Sequence, residues 1–323
     1  IESCVDVDMD DDPMPVETDS ILRETTLRAF VTIMEGCDNF CAYCVVPHTR
    51  GRERSRPSGR ILEEIRRLVA DGAVEIMLLG QHVNSYRDPA GAVHEFADLL
   101  AAVAAVPGLR RLRFTTSHPK DFNPRLLQVM EANPVICNQL HLPAQSGSNR
   151  ILMAMNRKYT ADDYLAHVAK IRQAERYMSL SSDFIVGFPG EAERDFEETL
   201  ALLRFVRYDS IFSFMYSPRP GTPAFEQPDS IPRPVKQARL VRLQAAQEAI
   251  QLENNRAEIG SIREVLVDGQ GREPGQLASR TTENKIVHFL GDANLMGSFC
   301  RVRITDASAH SLRGEWVPDP ADG

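Results

Sequence analysis

From Leu27 to Pro223 short apolar runs alternate with longer amphipathic stretches, and this alternation limits the possible folds more than any other feature. The apolar runs are Ala29–Met34, Glu75–Leu79, Arg111–Thr115, Gln139–Leu142, Ser181–Val186 and Ile211–Met215, with helical periodicity at 59–71, 94–106, 123–132, 161–177 and 191–206 between them. Strand and helix in strict alternation predict an α/β fold of parallel strands joined by crossover helices. Six strands are short of the eight that close a barrel, so a partial barrel and an open doubly wound sheet both fit.

The pattern changes towards both ends. After a proline-rich segment at 218–234, Pro234 to Asn255 reads as one long helix, its Leu240, Leu243, Ala246 and Ile250 stripe meant for the core. From Ser261 the runs shorten and alternate (Ile262–Val267, Lys285–Phe289, Phe299–Ile304) with Gly269, Gly271 and Gly291 between them, which predicts a small all-β, OB-like barrel. Residues 1–22 are acidic, hold Pro13 and Pro15, show no periodicity and read as a solvated linker. The expected division is therefore 1–22 linker, 23–258 α/β domain, 259–318 β domain and 319–323 tail.

Three of the six cysteines stand together as Cys37, Cys41 and Cys44, just past the first predicted strand. Thiolates this close repel unless a cation takes up their charge, and soft sulfur ligands suit zinc, copper(I) or iron–sulfur clusters. A four-iron cluster with three cysteines keeps one iron open. Core cysteines on one helical face and a zinc site completed by His48 are the alternatives; Gly36 and the turn-forming Asp38-Asn39 speak against the helix. Polar residues also gather after each later strand, where a barrel keeps its chemistry.

Charge needs to be read locally. The net charge is −8, but residues 1–20 hold eight acids and no Lys or Arg, which leaves 37 acids against 37 bases in the rest. Arg50, Arg52, Arg54, Arg56 and Arg60 follow the cysteines closely, opposed only by Glu53, and guanidinium forks there suit RNA phosphates. The segment from Ser261 carries seven bases and nine acids, so its charge gives no support for RNA binding. His48, His82, His118 and His141 lie near the predicted rim with no obvious sequence partner and receive no role. Gly187-Phe188-Pro189-Gly190-Glu191 reads as a tight strand-to-helix turn. No apolar run of about 18 residues and no secretory pattern is present, and the cysteines do not form a disulfide framework, so a cytoplasmic setting is expected.

The run FVTIMEGCDNFCAYCVVPHTRGRERSRP resembles the methylthiotransferases of the radical S-adenosylmethionine (SAM) superfamily, and the resemblance covers almost the whole chain. It implies a partial six-stranded (β/α)6 radical SAM barrel followed by a TRAM domain, a five-stranded RNA-binding barrel. It implies that Cys37, Cys41 and Cys44 hold a [4Fe–4S] cluster with SAM on the open iron, and that a 5′-deoxyadenosyl radical is made there. Tyr43 matches the position beside the SAM adenine, Gln81 the one holding the methionyl amine, Gln145 and Ser146 those meeting the ribose. Asp183, Ile185 and Val186 match the strand flanking ribose and adenine.

Within the family, VVPHTRGRERSRP and MNRKYT favour the enzymes that thiomethylate C2 of isopentenyladenosine beside the tRNA anticodon. The family also carries an N-terminal domain with three further cysteines and a second [4Fe–4S] cluster. Cys4, Cys137 and Cys300 do not replace that set, so the chain is expected to cleave SAM without completing sulfur insertion. An electron donor such as flavodoxin or ferredoxin and a monomeric state belong to the same expectation. Sister enzymes acting on a ribosomal-protein aspartate or on threonylcarbamoyladenosine, and a colourless metal-stapled RNA-binding protein without catalysis, are the rival readings.

Overall fold

The computed structural model describes residues 27–115, 117–228 and 231–318; the predicted linker at 1–22 and tail at 319–323 lie outside them. The α/β part contains β1 (Arg28–Thr32), α1 (Val46–Thr49), α2 (Ser58–Ala70), β2 (Glu75–Leu79), α3 (Phe96–Ala104), β3 (Arg111–Phe114) and α4 (Pro124–Ala132). It continues through β4 (Gln139–His141), α5 (Asn149–Ala154), α6 (Ala161–Arg172), β5 (Ser179–Val186), α7 (Glu193–Val206), β6 (Ser210–Met215) and α8 (Arg233–Arg256). The β part is β7 (Ile262–Gln270), β8 (Gln276–Arg280), β9 (Ile286–Leu290), β10 (Phe299–Ala307) and β11 (Leu312–Val317).

Strands β1, β2 and β3 form one parallel sheet and β4, β5 and β6 another. A parallel bridge between Leu112 and Ile136 joins the two. Spatial order follows chain order, with no reversal of the kind that marks a doubly wound sheet. Among the described residues no strand pairing joins β1 to β6. These features favour the partial barrel over the open doubly wound sheet.

Register decides which side chains share a face. Ala29 pairs with Ile76, Val31 with Leu78, Leu140 with Leu180 and Val186 with Met215. These side chains, with fully buried Phe184, pack under the helices in the main core. The alternate residues (Phe30, Met77, Arg113; His141, Asp183, Phe212, Phe214) face the opposite side, the barrel lumen. Helix α8 covers β6 from outside: Leu243 and Ile250 are buried and Gln244 bonds Ser213, as the predicted stripe requires.

Three local differences have physical causes. Helix α6 begins at a capping box, Thr160 with Asp163, but ends at Arg172 rather than 177. There Arg176 leaves the helical path to donate to the carbonyls of Met130 and Ile136. Short α5 follows Gly147 and Ser148 and gave no periodic signal. In the β domain, β8 and β11 were missed because β8 is built on polar and small residues and β11 is interrupted by Gly314. A Cβ at Gly314 would stand 2.5 Å from the Arg303 carbonyl, so only glycine lets β11 lie this close to β10.

Strands β7–β11 close into a barrel in the order β8-β9-β11-β10-β7 around Val265, Val267, Val287, Phe289 and Val302. It docks on the N-terminal ends of the α/β strands, away from the cysteines. Arg111 donates to the carbonyls of Arg280 (2.7 Å) and Glu264 (3.1 Å), and Arg113 to those of Thr281 (2.7 Å) and Thr282 (3.0 Å). Lys285 returns to Asp209 at 3.3 Å. Among the described residues no helix is long and apolar enough to cross a membrane.

Candidate active site

The cysteines lie on a loop, not a helix. Beyond β1 the chain turns at Gly36, whose φ is +74° and whose missing Cβ would sit 2.0 Å from the Arg52 carbonyl. A two-residue ribbon, Met34–Glu35 against Arg54–Ser55, pins the far side of the loop. Cys44 N–H returns to the Cys41 carbonyl at 2.9 Å in a tight turn. Cys41 is buried, Cys37 and Cys44 half-buried, and all three are free thiols. Burial pushes the Cys37 and Cys44 thiols above their ordinary range, so a bound cation is needed to hold them as thiolates.

A cavity of about 250 Å³ opens beside Cys41 and Cys44, with Phe40, His48, Thr222 and Glu226 on its walls. Among the described residues no three His, Cys, Asp or Glu side chains converge on one point as a single metal ion requires.

Arg157 reaches this loop from the segment after α5 and is 8% exposed. Its guanidinium donates to Cys41 Sγ at 3.3 Å, to the Pro143 carbonyl at 3.1 Å and to Tyr159 Oη at 3.1 Å, with Tyr43 Oη at 3.5 Å. Burial opposes its charge, but Tyr43, Tyr159 and Cys41 outweigh burial and push its pKa up. A permanent buried cation thus stands beside the middle cysteine.

On the other flank the Asn39 amide nitrogen is 3.3 Å from Cys37 Sγ and 2.9 Å from His82 Nδ1. His82 Nε2 lies 2.9 Å from Asp121. Burial would raise the Asp121 carboxyl, but hydrogen bonds from His82 and Lys120 prevail and hold it below the usual carboxylate range. His118 packs 5.2 Å from the His82 ring; burial first, then Arg157, keep it well below its ordinary range and therefore neutral. His141 bonds Ser181 Oγ at 3.0 Å and lies 3.4 Å from Asp183. Three histidines thus do have partners, which sequence missed because they come from other strands and loops.

Some of the predicted residues are brought together. Tyr43 and Ile185 pack against one small apolar cluster with Phe188 and Tyr216. Gln145 holds a left-handed φ of +65° while its backbone bridges to β5. Gln81 Oε1, Gln145 Oε1 and Ser117 Oγ are buried without a hydrogen-bond partner. Buried orphan acceptors are costly unless a ligand meets them, so the rim fits a polar cofactor such as SAM.

Three predicted residues are turned elsewhere. Val186 lies on the helix-facing side of β5, 1% exposed in the core, and offers the rim no side chain. Ser146 is 2% exposed and bonded to Thr199 and Ser148 within the protein. Arg56 turns inward to Glu64 (2.9 Å) and the Thr32 carbonyl, which removes it from any RNA-facing surface. Arg50, Arg52 and Arg60 remain exposed, Arg52 lying over the Phe40 ring, and Arg54 is half-buried in the ribbon. Glu191 accepts from Gly187 N–H (2.9 Å) and Arg239 (2.7 Å), which makes 187–191 the tight turn expected.

The radical SAM superfamily model matches residues 31–203 and the TRAM domain model residues 256–317. The chain is 52% identical over 297 residues to the tRNA-2-methylthio-N(6)-dimethylallyladenosine synthase of Solibacter usitatus (strain Ellin6076), covering 91% of this chain and 67% of that protein. It is 50% identical over 303 residues to the protein of the same name from Carboxydothermus hydrogenoformans, covering 94% and 69%. The chain spans about two thirds of the length of these relatives.

Among solved structures, coproporphyrinogen III oxidase (HemN) from Escherichia coli, a radical SAM enzyme, aligns with a TM-score of 0.50 at 12% identity over 92% of this chain and 73% of its own. The radical SAM methyltransferase TsrM from Kitasatospora setae aligns with a TM-score of 0.50 at 19% identity, over 61% and 35%. Both share the fold.

Proposed function

Because the chain belongs to the radical SAM superfamily and, within it, to the tRNA-2-methylthio-N(6)-dimethylallyladenosine synthases, we propose that it adds a methylthio group to C2 of N6-isopentenyladenosine in tRNA. What supports this reading most is the loop that presents Cys37, Cys41 and Cys44 beside buried Arg157 and the orphan acceptors of the rim. We assign the three cysteines to a [4Fe–4S] cluster and the rim to SAM. When bound, this pair supplies the radical chemistry that an unactivated aromatic carbon needs.

The chain's own residues then bind and orient. Arg157 offers a fixed positive charge to the SAM carboxylate. Gln81 and Gln145 offer amide oxygens to its amine and ribose hydroxyls, while Tyr43, Asp183 and Ile185 border its adenosine. Below them Phe30, Met77, Phe212 and Phe214 give the lumen an apolar wall that suits an isopentenylated base better than a carboxylate or a carbamoylated threonine. Arg50, Arg52, Arg54 and Arg60 face phosphate on the outer rim.

We place the radical SAM domain at 23–258 and the TRAM domain at 259–318. Partners are tRNA and a small one-electron donor of the flavodoxin or ferredoxin kind, the chain acting as a monomer in the cytoplasm. Cys137 and Cys300 are both buried, Cys300 in the core of the β barrel, so neither is offered to a second cluster.

The direct test is electron paramagnetic resonance of the anaerobically reconstituted, reduced protein. A [4Fe–4S]+ signal that changes with SAM and disappears in Cys41→Ala is expected. An iron-free protein that binds zinc and tRNA would favour the non-catalytic reading instead.

A further inference from the structure

The polar chain behind Cys37 has no part in the chemistry described so far. Asn39 is 8% exposed and His82 1%, so neither side chain is offered to solvent. The neighbours of the imidazole assign its protons. Asp121, held below the usual carboxylate range, stands 2.9 Å from His82 Nε2, and a neutral imidazole facing a carboxylate keeps its proton on that nitrogen. Nδ1 is then an acceptor. Glu53 stands 3.8 Å from it, too far for a hydrogen bond, so the donor to Nδ1 is the Asn39 amide at 2.9 Å. The second amide hydrogen is left for Cys37 Sγ at 3.3 Å.

This order also blocks the alternative. With the amide flipped, the Asn39 oxygen would face a histidine lone pair and a thiolate together, two repulsive contacts in place of two bonds. Asp121 and His82 therefore hold Asn39 as a donor towards sulfur.

We propose that Asn39 is a positioning residue that tunes the reduction potential of the cluster held by Cys37. A hydrogen bond to a ligating sulfur strengthens as electron density on it grows, so it favours the reduced cluster and raises the potential. The His82–Asp121 pair keeps that bond in place through the redox cycle. The proposal rests on Cys37 being a cluster ligand.

The test uses the reconstituted full chain as parent, Asn39→Ala and His82→Ala, with iron and sulfide analysed before a potentiometric titration followed by electron paramagnetic resonance. Asn39→Ala is expected to hold the parent's iron and sulfide but be half-reduced at a more negative potential. His82→Ala, which keeps the donor but frees it, should shift the same way by less. A midpoint in Asn39→Ala equal to the parent's overturns the proposal. Should Asn39→Ala take up no iron, an unshifted His82→Ala overturns it in the same way. A parent that assembles no cluster removes the ligand assignment, and this proposal with it.

Discussion

Arg157 shows how one side chain far along the sequence completes a local motif. Its guanidinium is buried among Cys41, Tyr43, Tyr159 and the Pro143 carbonyl, and its charge has no carboxylate beside it among those partners. Replacing it with Met keeps bulk and removes the cation. A charged hydrogen bond contributes about 1.5–3 kcal/mol, so Arg157→Met should raise the KM for SAM roughly 10- to 100-fold, measured by 5′-deoxyadenosine formation. Neighbouring His118 gives a pH prediction. Its folded pKa is pushed below the ordinary 6.5 by burial and by Arg157, so the unfolded chain takes up a proton below pH 6.5 and the folded chain does not. The stabilisation is whole above that pH and declines as pH falls below it, by about 1.4 kcal/mol per unit. Denaturant unfolding between pH 7.5 and 5.5 should show this slope, flattened in His118→Gln.

At the level of the strand, two phenylalanines on neighbouring strands should behave oppositely. Phe184 is fully buried under the helices, and Phe184→Ala should lose about 3–5 kcal/mol in denaturant unfolding. Phe212 is 58% exposed in the lumen opposite His141. Phe212→Ala should leave stability nearly unchanged but weaken binding of an isopentenylated anticodon stem-loop about tenfold, with no loss for the unmodified one. Alternation of hydrophobicity made the six parallel strands and their helices legible, because each strand buries one face. It could not reveal β8 and β11, whose polar and glycine positions carry little apolar signal. The cysteine loop was legible because its three cysteines are local. Asn39, His82 and Asp121 were not, since their contacts span 43 and 39 residues of chain. Val186 failed for a simpler reason: a strand's period of two sends neighbours of Ile185 to the other face.

Across the whole molecule, the β barrel is fastened to the α/β domain by buried arginines. Arg113 pairs with Glu75 at 3.1 Å while donating to two carbonyls of the β barrel. Arg113→Ala would strand the Glu75 charge and release those carbonyls, costing about 3–5 kcal/mol. Calorimetry should then show the domains melting apart, where the parent melts once. The other global feature is that, among the described residues, no strand pairing joins β1 to β6. A closed ring of strands admits what fits through its mouth, end first. A polynucleotide loop has no free end nearby, and strands that are not hydrogen-bonded into a ring do not require one. An unclosed ring of strands is compatible with modifying one interior nucleotide without cutting or threading the strand.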